Sequence, residues 1–299
     1  MFVRLLVLVL LAPALRAQYA NDAWPVFTDV ANARKAVHPP ARQLDLRDRD
    51  LFRLPPRTAE LRSLKYLNLM GNLWEVWDDE LSRLRQLTHL NLKENKLREL
   101  PASLGRLRRL RFLDLTHNRL RTLPESTGHL RRLTYLHAGL NELDRLPAGL
   151  ARCRRLESLD LQNNQLSHLP QGLHRLRRLR QLNLGYNQLR EATADWGKLA
   201  ALTELNLASN RIRTLPPNIG ALGRLRSLLL TGNELTELPP QIGQLRELTL
   251  LVVANNELTS LPVELRKLTK LRTLILTGNP LPADEIERVR AALPHCRVL

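Results

Sequence analysis

The sequence predicts an α/β solenoid, a stack of short right-handed coils that each contribute one strand to a parallel sheet. Three observations predict it. Asparagine recurs every 23 residues without slippage, at Asn72, Asn95, Asn118, Asn141, Asn164, Asn187, Asn210, Asn233, Asn256 and Asn279. Around each one the same apolar frame returns, as in Leu87, Leu90, Leu92, Asn95, Leu97, Leu100, Pro101, Leu104 and Leu107, so one small unit is stacked many times. Hydrophobic residues make up 43% of the chain but aromatics only 4%, so the core is built mainly from leucine. Each unit of such a stack touches only its neighbours, and the 299 residues are expected to form one elongated domain.

Residues 1–17 read as an export signal. Met1 and Arg4 give a positive start, Phe2 to Leu11 is apolar, and Ala12, Ala14 and Ala17 offer small residues for cleavage, which is expected after Ala17 or alternatively after Ala14. The run falls short of the roughly 20 apolar residues a membrane-spanning helix needs. An exported protein is expected, whether secreted, periplasmic or at the cell surface. If residues 1–17 stay attached as an apolar helix, the alternative is a cytoplasmic protein. Residues 18–42 are expected to form an N-terminal cap, with a helix over Thr28 to Val37 started by Thr28.

Residues 43–281 hold about eleven units. The first has Arg49 where the Asn belongs but keeps Leu44, Leu46, Leu51 and Leu54, as suits a terminal coil. In each unit Leu-x-Leu precedes the Asn by three to five residues and alternates apolar with polar, the period of a strand with one buried face. The Asn follows at the turn out of the strand, where a side-chain amide can satisfy backbone groups that have lost strand partners. Pro101, Pro124, Pro147, Pro170, Pro216, Pro239 and Pro262 come six residues after their Asn. A fixed φ without an amide donor suits an irregular or short helical return path.

The unit at Asn187 departs from the frame with Ala192, Thr193 and Trp196. A large ring filling space left by a small neighbour explains it; the alternative is an outer bulge used by a partner. Trp74 and Trp77 similarly replace core leucines. Residues 282–299 form the C-terminal cap, where Ile286, Val289 and Leu293 lie at helical spacing within Asp284 to Leu293.

The pattern LxxLxLxxNxLxxLPxxLxxL, carried by Leu87 to Leu107, is similar to that of the leucine-rich repeat family. The 23-residue form with Leu-Pro resembles the Ras-suppressor-type and plant intracellular repeats and exported bacterial proteins built from them. The resemblance covers about residues 43–281. It implies a curved horseshoe segment with the sheet on the concave side, a short-helical convex side, and commonly a role in protein recognition. The same scaffold serves many partners, so function has to be argued from the surface it presents.

Cys153 lies 12 residues after Asn141, in a slot that other units fill with leucine, and Cys296 lies in the C-terminal cap. With coils about 4.8 Å apart, the two are separated by on the order of 30 Å, far beyond the roughly 7 Å limit for bridged α-carbons. Both are expected to be buried apolar fillers.

Side chains that alternate with the strand leucines face the inner wall. Four residues before each Asn they read Asp45, Asn68, Asn91, Asp114, His137, Asp160, Asn183, Asn206, Leu229, Val252 and Ile275. Leu229, Val252 and Ile275, joined by Leu250, are expected to form an exposed apolar patch and a partner hot spot. Coverage by the C-terminal segment or by sheet curvature is the alternative. Asp114, His137 and Asp160 extend the partner surface with a polar stretch. A histidine between two carboxylates invites catalytic or metal readings, but the row lacks a nucleophile, and no Gly-rich phosphate loop or HExxH pattern accompanies it. Neither enzymatic activity nor a cofactor is expected.

The chain carries 46 basic and 29 acidic residues, a formal charge of +17, which becomes +15 when Arg4 and Arg16 leave with the signal. Many arginines fall 11 to 16 residues after an Asn, among them Arg106, Arg108, Arg109, Arg131, Arg132, Arg154, Arg155, Arg177 and Arg178. They are expected to line one edge as a basic stripe that attracts a polyanion, such as lipopolysaccharide, acidic polysaccharide or a membrane surface. Nucleic acid is disfavoured because no aromatics are interleaved for base stacking. Of the 46 basic residues 39 are Arg and seven are Lys, so codon usage in a GC-rich genome is a competing source of the stripe. The expected function is non-enzymatic binding of a protein on the inner wall, with polyanion binding as the second reading and an intracellular scaffold as the third.

Overall fold

The computed structural model describes residue 21 and residues 23–169, 172–192 and 195–299. The export signal with its cleavage points, the start of the N-terminal cap, Pro170 and Thr193 lie outside the described residues.

Among the described residues, thirteen strands form one sheet in strict chain order, every neighbouring pair parallel. They are β1 (Val26–Phe27), β2 (Gln43–Asp45), β3 (Tyr66–Asn68), β4 (His89–Asn91), β5 (Phe112–Asp114), β6 (Tyr135–His137), β7 (Ser158–Asp160), β8 (Gln181–Asn183), β9 (Glu204–Asn206), β10 (Ser227–Leu229), β11 (Leu250–Val252), β12 (Thr273–Ile275) and β13 (Arg297–Val298). The sheet lines the concave side of an open right-handed solenoid. The middle residue of each repeat strand, such as Leu90, Leu113 or Leu136, is fully buried in the leucine core.

The return paths are short 3-10 helices, as Ala102–Arg106 and Glu125–His129, which start at Pro101 and Pro124 in extended backbone. Pro has no N–H to leave unbonded at a helix start, so it fits there. These helices stack closely: a Cβ added at Gly128 would lie 2.4 Å from the Gly149 carbonyl oxygen.

The asparagines join consecutive coils as well as closing their own turns. Asn118 Nδ2 donates to the Leu92 carbonyl of the preceding coil at 2.9 Å and to the Leu115 carbonyl of its own at 3.0 Å, while its Oδ1 accepts from Leu97 N at 3.0 Å. Asn164 repeats the pattern through Ala138, Leu161 and Leu143. At the leading coil, where Arg49 replaces the Asn, Asn72 Oδ1 accepts from both Arg49 N and Leu51 N. Each amide thus satisfies backbone groups that would otherwise be buried without partners.

Both caps hold more than the expected helix. Helix α1 spans Val30–Lys35, and its N-cap is Asp29, whose carboxylate accepts from Asn32 N at 2.7 Å; the expected cap, Thr28, lies one residue outside. Helix α2 spans Ala283–Ala292, with Val289 and Leu293 buried and Ile286 against the core. Each cap also adds one strand, β1 or β13, which pairs an edge of the sheet whose backbone groups would otherwise be open.

Trp74 and Trp196 are completely buried and Trp77 nearly so. Trp196 Nε1 donates to the Ala192 carbonyl at 2.8 Å, so the ring sits in the core beside the small residue rather than on the outer surface. Cys153 is buried, and burial pushes its thiol up to about 12. Cys296 is half-buried rather than enclosed, and both thiols are free.

Candidate functional site

Each three-residue strand sends its middle leucine into the core and its first and third side chains onto the inner face. The third positions form the row read from the sequence, in register: Asp114 pairs with His137, and His137 with Asp160. This row lies deeper than expected. Asn68, Asn91, Asp114, Asn183 and Asn206 are buried, because their side chains fold back to the strand exit. Asn91 Oδ1 accepts from Lys93 N at 3.0 Å, Asp114 Oδ1 from Thr116 N at 2.9 Å, and Asp160 Oδ1 from Gln162 N at 3.1 Å. Such side-chain turns satisfy the N–H that leaves the ladder. The first duty of Asp114 and Asp160 is therefore to their own backbone.

Burial raises the Asp160 carboxyl above the usual range, with the Asp114 charge acting the same way, against the Gln162 N–H and His137. His137 Nδ1 stands 4.0 Å from Asp114 Oδ2. Among the described residues, no three His, Cys, Asp or Glu side chains are grouped to hold a metal ion.

The apolar end of the row corrects the expectation of an exposed patch. Leu229 is 8% exposed and Val252 2%. Together with Ala254 they form a small cluster separate from the main core, against which Leu250 and Ile275 pack half-buried. Side chains one coil apart on a concave wall cover one another, so within this cluster it is Leu250 and Ile275 that offer apolar surface to a partner. Helix α2 is not the cover: it packs on the last 3-10 helix, Val263–Lys267.

The first strand positions hold what the sequence reading missed. Tyr66, His89, Phe112 and Tyr135 stand in adjacent register on β3 to β6. Tyr66 and His89 stack at 4.0 Å and 8°, His89 and Phe112 lie 6.0 Å apart, Phe112 and Tyr135 6.3 Å. Trp24 closes the row edge-on to Tyr66 at 5.8 Å and carries Arg42 and Lys65 over its ring. Burial, helped by the charge of Arg111, holds the His89 imidazole down to about 4, so it is neutral in the stack. A signal existed: the same column that supplied Leu250, six residues before each Asn, reads Tyr66, His89, Phe112 and Tyr135 when followed towards the N-terminus.

Between the aromatic and apolar ends the face is polar and bonded to itself. Asn206 Nδ2 donates to Asn183 Oδ1 at 3.0 Å, Asn183 Nδ2 to Gln162 Oε1 at 3.1 Å, and Gln181 Nε2 to Glu204 Oε2 at 3.1 Å. Burial raises the Glu204 carboxyl. Cross-strand bonds of this kind hold polar side chains in place before any ligand arrives.

The nine stripe arginines are all exposed. Arg106 ends a 3-10 helix, and the other eight sit in the two-residue turns that lead into β5, β6, β7 and β8.

A family profile described as a leucine-rich repeat region matches residues 75–196 and 189–286. No curated protein matches in a search by sequence. Among solved structures, a leucine-rich repeat protein of Leptospira interrogans is 29% identical, with 86% of this chain and 83% of that chain covered and a TM-score of 0.53. The functional domain of InlJ from Listeria monocytogenes is 26% identical over 81% of this chain and 50% of that chain, with a TM-score of 0.70. The plant peptide hormone receptor RGFR1, solved in complex with RGF2, is 29% identical over 86% of this chain and 43% of that chain, with a TM-score of 0.74. The chain thus spans half or less of the latter two.

Proposed function

The chain belongs to the leucine-rich repeat family, and from that premise we propose that it is a non-enzymatic recognition module that takes a protein partner on the inner face of its sheet. One observation carries this reading. The face runs in register from an aromatic row, through a polar stretch already bonded to itself, to a half-buried apolar end at Leu250 and Ile275. A surface fixed before binding loses little side-chain freedom on contact. Aromatic side chains with polar tips are also the type that dominates interface energetics. The complex of the plant receptor RGFR1 with RGF2 supports a protein or peptide as the class of partner. Asp114, His137 and Asp160 contribute shape and charge at the centre of this face.

The test is photo-cross-linking from single positions in extracts of the source organism's envelope and medium. A reactive side chain at Tyr135 or Glu204 on the inner face is expected to give a discrete protein adduct, and one at Ala102 on the outer helices none. Adducts from Ala102 alone would overturn the assignment. Residues 1–17 support export as the setting, and a mature protein that begins at Gln18 is the expected result of N-terminal sequencing. Retention of Met1 would place the module inside the cell instead.

A further inference from the structure

The arginine turns form two columns, Arg108, Arg131, Arg154 and Arg177 in one and Arg109, Arg132, Arg155 and Arg178 in the next, all exposed. Successive members are one coil apart, about 4.8 Å at the backbone. Among the described residues none of the eight belongs to an ion pair. Elsewhere this chain neutralises a cation with an acid on the adjacent coil: Arg121 with Glu142 at 3.6 Å, Arg213 with Glu234 at 3.0 Å, Lys270 with Glu247 at 2.7 Å. Glu247 and Lys270 stand in the same 23-residue column as Arg109 to Arg178, so the position accepts acids. The run from Arg109 to Arg178 has none. Like charges in adjacent register repel, and a ligand that brings anions at the coil period relieves that repulsion along its whole length.

We propose that this edge binds an acidic polysaccharide laid across the coils, with one sugar seated where the columns meet the aromatic row. A chain with one acidic group per pyranose repeats its charge on the scale of the coil spacing. The seat is a groove of about 320 Å³ lined by Arg109, Arg111, Arg132, Lys65, Tyr66 and Gln86, among others. Cations there stand beside neutral hydrogen-bonding groups, the phenol and the amide, a pairing that suits a ligand rich in both carboxylate or sulfate and hydroxyl.

Two other polyanions fit less well. A nucleic acid strand needs open ring faces for stacking, whereas Tyr66 and His89 cover each other and Trp24 lies under Arg42 and Lys65. An anionic membrane favours apolar side chains beside the basic ones. Among the described residues the two most exposed large apolar side chains, Phe52 and Val76, lie beyond the strand exits, across the sheet from the arginine turns.

The experiment measures binding of the full chain to heparin, a sulfated glycosaminoglycan, against neutral dextran, oligo-dT and phosphatidylserine vesicles over a series of salt concentrations. Heparin is expected to bind tightest and to weaken steeply with salt. The double reversal Arg131→Glu with Arg154→Glu, on exposed turns, is expected to lower affinity at least about tenfold with the melting temperature kept. The equal charge change Arg119→Glu with Arg211→Glu, across the sheet, is expected to leave near wild-type affinity. Equal losses in both variants would reduce the effect to net charge and overturn the proposal. So would tighter binding to oligo-dT or to vesicles, or no heparin binding near physiological salt. None of these outcomes bears on a protein partner at Tyr135 or Glu204.

Discussion

Leu140 holds a φ of 55° in the turn before Asn141, a position filled in other coils by Gly71, Gly232 and Gly278 at similar positive φ. A branched side chain in the left-handed region is strained by about 1–2 kcal/mol, and Leu140 is 44% exposed, so little packing offsets the strain. Leu140→Gly is expected to stabilise the protein by about 1 kcal/mol net of the added unfolded-state freedom, read by urea denaturation. His89 ties stability to pH. Its folded value, about 4, lies below the unfolded 6.5, so the unfolded chain binds the extra proton. The stabilisation is full above pH 6.5 and is lost as pH falls towards 4. His89→Phe keeps a ring between Tyr66 and Phe112 and removes the proton site. Melting curves across that window are expected to fall more for the wild type than for the variant. The core was legible at this scale because each leucine and each Asn answers to a single 23-residue period. The depth of Asp114 and Val252 was not, since alternation tells which face a side chain takes but not how far its neighbours on a concave wall cover it.

At the scale of elements, the caps are tied to the repeats by side chains that bond backbone two dozen residues away. Glu285 on α2 accepts from Leu261 N at 2.6 Å, while Arg288 donates to the Leu261 carbonyl at 2.7 Å and pairs with Glu285 at 2.7 Å. Within the repeats, Asp78 likewise accepts from Leu54 N of the preceding coil at 3.0 Å. Glu285→Ala is expected to cost about 1–3 kcal/mol, and hydrogen exchange at Leu261 N is expected to quicken before that of the central coils. Unchanged exchange would show that α2 docks by its apolar face alone. The apolar spacing of Ile286, Val289 and Leu293 made α2 visible in the sequence. The capping strands β1 and β13 were not visible, because two-residue strands have no period to detect and exist only by pairing with the sheet. The same limit applied to the recognition face: reading one column of each strand found the apolar end and passed over the aromatic row in the other. Leu229→Asp would bury a carboxylate among Val252 and Ala254 and is expected to destabilise by about 2–4 kcal/mol, seen as a lower melting temperature. A surface residue would not move it. Leu250 and Ile275 are therefore the better positions for probing a partner.

At the scale of the whole molecule, the parallel strands in chain order make a wall whose chemistry changes steadily along its length, while the turns entering β5 to β8 gather positive charge that has no ion-pair partner among the described residues. Fold class and repeat register followed from the sequence because a solenoid repeats local contacts, each predictable from one unit. The surfaces did not follow so directly, because they depend on residues 23 positions apart becoming neighbours. A protein partner seated on the inner face, as proposed, would shield the histidines there. Histidines sample both sides: His89 and His137 lie on the inner rows, His129 and His174 on the outer helices. The most direct measurement is diethylpyrocarbonate labelling of these four, read by mass spectrometry with and without the cross-linked partner. Modification of His89 and His137 is expected to fall in the complex while that of His129 and His174 is unaffected. Protection of His129 and His174 with His89 and His137 unchanged would contradict an inner-face partner.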